Sequence, residues 1–213
     1  MSKILCILPI CCFPTNKDTF IGNERIQQYI TGLNKFFEYI EIMNNHNVDI
    51  YIFDNTIDKN DTLPQEFLEI IPDNVKVIND YANKYGGINK GAGLIESWLY
   101  LKDIIQQYDY LIHFEPRQLL IDFDFIQSFL QKKSNVFTLG GDDKHFNTGL
   151  FCVECKVLLK FITIVDIIYM THNIVSIEYM LFNFFNENNI QYNVKDKMNL
   201  IWYPYLEKTS VIW

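Results

Sequence analysis

The chain has 213 residues, 49% hydrophobic and 21% charged, enough for one sizeable core and short for two. Eighteen lysines and arginines against 26 aspartates and glutamates leave a formal charge of −8, and the sequence pI is about 5.0. An acidic surface repels phosphate backbones and anionic lipids, which argues against a nucleic-acid binder or a membrane-surface protein and for a small-molecule partner.

No stretch reaches the roughly 18 to 20 apolar residues that a bilayer span requires. The strongest, residues 157–170, contains Lys160 and Asp166 and reads as a buried element. The first apolar run is preceded only by Lys3 and followed by Asn16, Lys17 and Asp18 without a small-residue cleavage site, so no secretion signal is expected. Five cysteines, grouped as Cys6, Cys11 and Cys12, then Cys152 and Cys155, make no secreted disulfide framework and suit a reducing cytoplasm.

Residues 4–10 are a short apolar run containing Pro9, and residues 48–53 another that empties into Asp54, Asn55 and Thr56; both read as buried strands. Between them, residues 23–43 place Ile26, Ile30, Leu33, Phe37, Ile40 and Met43 at helical intervals, one apolar stripe for a sheet. Residues 75–78 repeat the strand signal. Residues 91–108 present Leu94, Ile95, Trp98, Leu101, Ile104 and Ile105 as a second amphipathic face, and residues 108–114 form the next strand. Residues 124–132 read as helical, 136–139 and 150–153 as extended, 177–186 as helical and 191–194 as a last strand. This alternation predicts a single α/β domain over 1–213 with a central, mostly parallel mixed sheet flanked by helices.

In such sheets ligands sit beyond the carboxyl ends of the strands, where loop polar groups and helix N-termini converge. The segments at those ends carry Thr15, Asn16, Lys17 and Asp18, then Asp54, Asn55 and Thr56, then Asn79 and Asp80, then Glu115, Pro116, Arg117 and Gln118. The run GGINKGAG at 86–93 precedes a helix, where glycines let backbone N–H groups approach a phosphate. Its spacing matches neither GxxxxGK[ST] nor GxGxxG, and a loop with a helix cap explains it equally well.

Alternation points His113, Glu115 and Arg117 to one side of their strand and Phe114 to the other. An acid and a base on a ligand rim suit a divalent metal or a diphosphate, with a buried Glu115–Arg117 pair as the structural alternative. Asp122 and Asp124 have the spacing of a metal-binding pair, although either could cap the helix that begins near Phe125. The polar, glycine-bounded stretch 140–149 could carry acceptor contacts, a second metal ligand or only a turn. Ser176 and Glu178 open an apolar helix, where a carboxylate serves a hydroxyl as general base or simply complements the helix dipole. Cys152 and Cys155 lack the second pair that a zinc site needs, and GxSxG and HExxH patterns are missing from the sequence.

The order of these features is informative: a strand with Pro9, a polar string at Asp54, NKYGGINKGAG before a helix, YDYLIHFEPRQ, FNTGLF at 146–151 and IEYMLFNFF at 177–185. Over almost the whole chain it resembles GT-A-type glycosyltransferases, and the compact size is also similar to single-domain sugar transferases encoded by large algal viruses, which would act in host cytoplasm. The resemblance implies a Rossmann-like nucleotide-binding domain, a nucleoside-diphosphate sugar donor linked to uridine, a glycan or glycoprotein acceptor, and a divalent metal, Mn²⁺ or Mg²⁺. Asp54 and Asn55 would hold the base and ribose. Pro9, Thr15, Asn79, Asp80, Gly87, Asn89, Lys90 and His113 would complete the donor site, with Asn147, Thr148 and Gly149 facing the donor sugar or acceptor. Glu178 stands where inverting members carry a catalytic carboxylate. The family's DxD ends the strand that corresponds to 108–114, and this chain has Glu115, Pro116 and Arg117 there. Either Glu115 is a reduced metal site, with Arg117 helping to neutralise the diphosphate, or Asp122 and Asp124 are a displaced pair. Two other readings stand beside this one. A sugar-phosphate nucleotidyltransferase would need a basic, glycine-rich loop that residues 12–17 lack, and a non-catalytic sugar-nucleotide or protein-binding domain would bind its ligand without releasing pyrophosphate or nucleotide.

Overall fold

The computed structural model describes residues 2–13, 22–81, 83–202 and 211–212. Strand β1 (Ile4–Ile10) is followed by helices α1 (Gly22–Phe37) and α2 (Ile40–Asn45), strand β2 (Val48–Asp54), helix α3 (Gln65–Leu68) and strand β3 (Lys76–Asn79). Helices α4 (Lys90–Tyr100) and α5 (Lys102–Ile105) lead to β4 (Tyr110–Phe114), β5 (Leu119–Leu120), α6 (Asp124–Gln131), β6 (Val136–Phe137) and β7 (Leu150–Glu154). Helices α7 (Cys155–Ile164), α8 (Ile167–Asn173) and α9 (Ile177–Glu187) precede the short strands β8 (Asn193–Val194), β9 (Leu200–Trp202) and β10 (Val211–Ile212).

Seven strands form one sheet in the order β3-β2-β1-β4-β7-β6-β8. Strand β1 pairs in parallel with β2 and β4, and β2 with β3. Strand β7 runs antiparallel to β4, with Phe151 opposite His113, and to β6. The expected α/β architecture is therefore present, with one reversed strand inserted. Strands β5, β9 and β10 form a second, small antiparallel sheet.

Period-two alternation assigns each strand residue to a face. Ile4, Cys6 and Leu8 of β1, with Ile52 and Phe114, pack against Leu33 and Phe36 of α1 and Phe125 and Phe129 of α6. Leu5 and Ile7, with Phe53, Leu111 and Phe151, face the opposite way, against Ile95 and Trp98 of α4, Phe161 of α7 and Phe185 of α9. Both faces are thus covered, as near-continuous apolar strands require.

The stripe over 23–43 is two helices rather than one. At Tyr39 the backbone turns to φ −103°, ψ 8°, and its N–H reaches Phe36 O at 3.0 Å, a tight turn in place of another α-helical step. Phe36 then stacks on Phe114 and Tyr39 on Phe123, so the bend sends neighbouring rings to different partners. The helix expected over 91–108 likewise divides at Leu101. Residues 157–170 divide between α7 and α8, and Asp166, the acid inside that apolar run, caps α8 by accepting from Tyr169 N at 2.9 Å. Among the described residues no helix is long and apolar enough to cross a membrane, and the five cysteines are free thiols.

Candidate functional site

The carboxyl ends of β1, β2 and β4 open on a cleft of two lobes that share Lys90, Leu94, Glu115 and Arg117. The first lobe, about 240 Å³, is walled by Pro9, Cys11, Arg25, Tyr29, Asn55 and Asn83. The second, about 420 Å³, is walled by Gln118, Asn147, Thr148, Gly149, Glu178 and Tyr179.

The junction is built by the end of β4. The strand stops at Phe114, Glu115 N–H donates to Gly149 O at 2.8 Å, and Gln118 N–H closes a turn on Glu115 O at 3.0 Å. Helix α1 lies hard against this turn. A Cβ on Gly32 would stand 1.6 Å from Pro116 O, so only glycine permits the approach. Arg25, about two helical turns earlier on the same face, thereby enters the first lobe. Its Nε donates to Cys11 O at 2.7 Å and its Nη2 to Tyr29 Oη at 3.3 Å.

The run 86–93 folds back on the helix it opens. A Cβ on Gly93 would stand 2.6 Å from the Cα of Gly86, so Gly86, Gly87, Lys90 and Gly93 line the first lobe together. Asn89 caps α4 by accepting from Ala92 N at 3.1 Å, and its Nδ2 donates to Met170 O at 3.0 Å and Val175 O at 2.9 Å.

In the second lobe Thr148 Oγ1 donates to Glu178 Oε1 at 2.7 Å. The Asn147 amide is held by Thr138 Oγ1 and Leu139 O at 3.0 and 2.9 Å. At its rim, Asp142 is 2.7 Å from His145 Nδ1 and accepts from Tyr179 Oη at 2.8 Å. The Tyr179 hydroxyl and the backbone N–H of Lys144 hold the Asp142 carboxyl down at about 2. Burial pushes the Glu115 carboxyl up; Arg117 opposes that rise and Glu178 adds to it. Burial pushes the Lys90 ammonium down, and Arg117 and Arg25 push it further. Burial raises the Tyr29 hydroxyl to about 12.

Of the residues singled out in the sequence, the first lobe gathers Pro9, Asn55, Gly87, Lys90, Glu115 and Arg117, and the second Asn147, Thr148, Gly149 and Glu178. His113 is placed elsewhere. Within β4 it alternates onto the α4 face, wholly buried, its ring 5.5 Å from that of Trp98 and 4.8 Å from that of Phe151. The chain turns after Phe114, so alternation no longer relates His113 to Glu115. Asp54 is also buried: it accepts from Cys12 N at 2.8 Å and from Thr56 N and Oγ1 at 2.6 and 2.7 Å, tying two loops together rather than facing a ribose. Asn79 donates to Asp61 O at 3.0 Å, Asp80 stands beside the Tyr100 hydroxyl, and neither lines a lobe; nor does Asn89. Thr15 lies outside the described residues.

Asp122 and Asp124 do not approach the cleft. Asp122 accepts from Asp124 N at 3.0 Å and Asn199 Nδ2 at 2.7 Å, fixing the entry to α6. Among the described residues no three His, Cys, Asp or Glu side chains converge. Glu115 has Arg117, Glu178 and Lys90 as charged neighbours, two cations against one further carboxylate, a balance that fits an anion better than a divalent cation, which prefers several oxygen ligands. The cleft also contains Arg25, Tyr29 and Asn83, which sequence reasoning did not single out. The chain has only two arginines, Arg25 and Arg117, and that rarity is a signal that could have found Arg25.

No protein-family model matches the chain, and no curated protein matches it. Among solved structures, it is similar to a protein from Desulfovibrio desulfuricans G20 described as a nucleotide-diphospho-sugar transferase, with a TM-score of 0.59 and 10% identity over 92% of this chain and 80% of that one. It is also similar to a cytidylyltransferase from Leptospira borgpetersenii serovar Hardjo-bovis strain JB197, with a TM-score of 0.54 and 14% identity over 92% of this chain and 76% of that one. At these identities the likeness shows the fold: an α/β domain with the mostly parallel sheet of nucleotide-diphospho-sugar transferases. The likeness to algal-virus enzymes gains no support from either structure.

Proposed function

We propose that the protein transfers a hexose-type unit from a nucleoside-diphosphate sugar, linked to uridine, to a hydroxyl of a glycan or glycoprotein, in a reducing cytoplasm. The observation that carries this reading is the two-lobed cleft, with Lys90, Glu115 and Arg117 at its junction and Glu178 in the second lobe. A donor diphosphate at the junction would put the nucleoside beside Asn55 and Asn83 and direct the sugar toward Thr148 and Glu178.

Transfer breaks the bond from the sugar carbon to the diphosphate oxygen and forms one to the acceptor oxygen. The nucleoside diphosphate leaves with the electron pair, and Lys90 and Arg117 meet the charge that develops on it. The acceptor hydroxyl passes its proton to Glu178, whose carboxylate is oriented by Thr148. No step is assigned to a divalent ion, because Glu115, Asp122 and Asp124 do not converge.

Incubation with uridine-diphosphate hexoses and glycan acceptors, followed by assay for released uridine diphosphate, tests the reading. Turnover unchanged in Glu178→Gln would remove the assigned base. The likeness to a cytidylyltransferase favours a second reading, nucleotidyl transfer to a sugar phosphate. That activity would release pyrophosphate from a nucleoside triphosphate instead. Nucleotide-sugar binding with neither release would leave a binding domain.

A further inference from the structure

The chain's two arginines come from distant elements, α1 and the turn after β4, and both line the first lobe beside Lys90 at the start of α4. They gather there in a protein of formal charge −8. Like charges so placed repel, and Lys90 registers both arginines as unfavourable neighbours. Such a cluster is relieved by a bound anion. Among the described residues the carboxylates that line the cleft with it are Glu115 and Glu178, and burial drives Glu115 toward its neutral form. Among these described groups three cations stand against two carboxylates. Arg25 is also held in place by Cys11 O and Tyr29, its guanidinium carbon 5.6 Å above the Tyr29 ring. Planar guanidinium groups match phosphate oxygens in geometry.

A divalent cation at the same junction would meet Glu115 between Arg117 and Lys90, with Glu178 as the other carboxylate of the cleft. Hard cations take several carboxylate or phosphate oxygens, and the described residues converge on no such set. We propose that Arg25, Lys90 and Arg117 together hold the donor diphosphate in place of a divalent metal, so that nucleotide binding in this cleft is metal-independent. This rests on the nucleotide-sugar reading above and assigns Arg25, from α1, to the diphosphate.

The test is calorimetric titration with uridine diphosphate, cytidine diphosphate, guanosine diphosphate and inorganic pyrophosphate, each in chelator and in Mn²⁺ or Mg²⁺. Uridine diphosphate and pyrophosphate should bind in chelator within about twofold of their affinity with metal. Lys90→Gln and Arg25→Gln should each weaken chelated binding about tenfold, as expected for a charge-assisted contact. Lys90 stands at the first helical position of α4, so Lys90→Gln keeps the test intact if Arg25→Gln fails to fold. Binding only with metal overturns the proposal and leaves the nucleotide-sugar reading standing. Metal-free binding of pyrophosphate with no nucleotide binding supports the cation cluster and overturns that reading. Failure of both anions to bind, or variants that bind as the parent does, overturns the proposal.

Discussion

Thr148 Oγ1 donates a 2.7 Å hydrogen bond to Glu178 Oε1, joining the turn before β7 to the first turn of α9 across the second lobe. The bond fixes which carboxylate oxygen is committed to the protein and leaves the orientation of the other defined.

Thr148→Val keeps the side-chain shape and removes the donor. Steady-state kinetics should show kcat down about tenfold with the Kd for nucleotide unchanged, and Thr148→Ser should recover most of the loss. Glu178→Gln should cost about 100-fold or more, the usual scale for a lost general base. Equal losses in Thr148→Ser and Thr148→Val would assign the effect to packing instead.

His113 predicts an acid-sensitive fold. Burial lowers its pKa from 6.5 to about 3, and neither ring nitrogen has a hydrogen-bond partner among the described residues. Below about 6.5 the unfolded chain binds a proton here that the folded chain refuses until about 3. The unfolded state therefore gains as pH falls through that window, by up to about 1.4 kcal/mol per pH unit. His113→Leu removes the titration and the buried polar atoms. Urea unfolding at pH 7, 5 and 4 should show a flatter acid decline for the variant, and identical declines would sink the assignment.

Gly32→Ala sets two effects in opposition. Alanine favours a helix by up to about 1 kcal/mol over glycine, yet its Cβ would lie 1.6 Å from Pro116 O and 2.7 Å from Pro116 C, backbone atoms that cannot rotate aside. The clash should win, with a net loss of about 1–3 kcal/mol and weaker nucleotide binding, because α1 carries Arg25 and abuts the turn of Glu115. Calorimetric melting would show a lower Tm; a higher one would mean that the turn yields.

Asn89 separates capping from clamping. Asparagine and aspartate are about equal as N-caps, but only asparagine donates to Met170 O and Val175 O. Asn89→Asp should therefore destabilise at least as much as Asn89→Ala, by about 2 kcal/mol, or roughly 4–8 °C in Tm. A near-neutral Asn89→Asp would reduce the residue to a cap alone.

Much of the fold is legible in neighbouring residues. The alternation of apolar runs and stripes marks β1, α1, β2, α4 and β4, since a buried strand and a helix lying on a sheet need different periods. The same period of two sorts Ile4, Cys6 and Leu8 from Leu5 and Ile7 between the two cores. What it cannot mark is where a strand ends, and so His113 reads as a rim residue although it sits inside the core. The splitting of 23–43 at Tyr39 is hidden for a related reason, because the break serves ring contacts with Phe114 and Phe123 from elsewhere in the chain.

The candidate site divides along the same line. Lys90, Glu115, Arg117, Thr148 and Glu178 stand at element ends, and in an α/β sheet those ends face one edge wherever the strands run parallel. Their sequence positions therefore mark them. Arg25 is different: it stands in an amphipathic helix, and only the approach of Gly32 to Pro116 brings it to the cleft. Asp54 and Asn89 look like ligand residues by position, yet their polar atoms are taken up by protein partners. The sequence by itself determined the periodicities, and with them the elements and faces, because those are relations among residues a few positions apart. Which polar groups meet each other and which meet a cleft was decided by tertiary structure, because backbone approach and hydrogen-bond partnership join residues far apart in the chain.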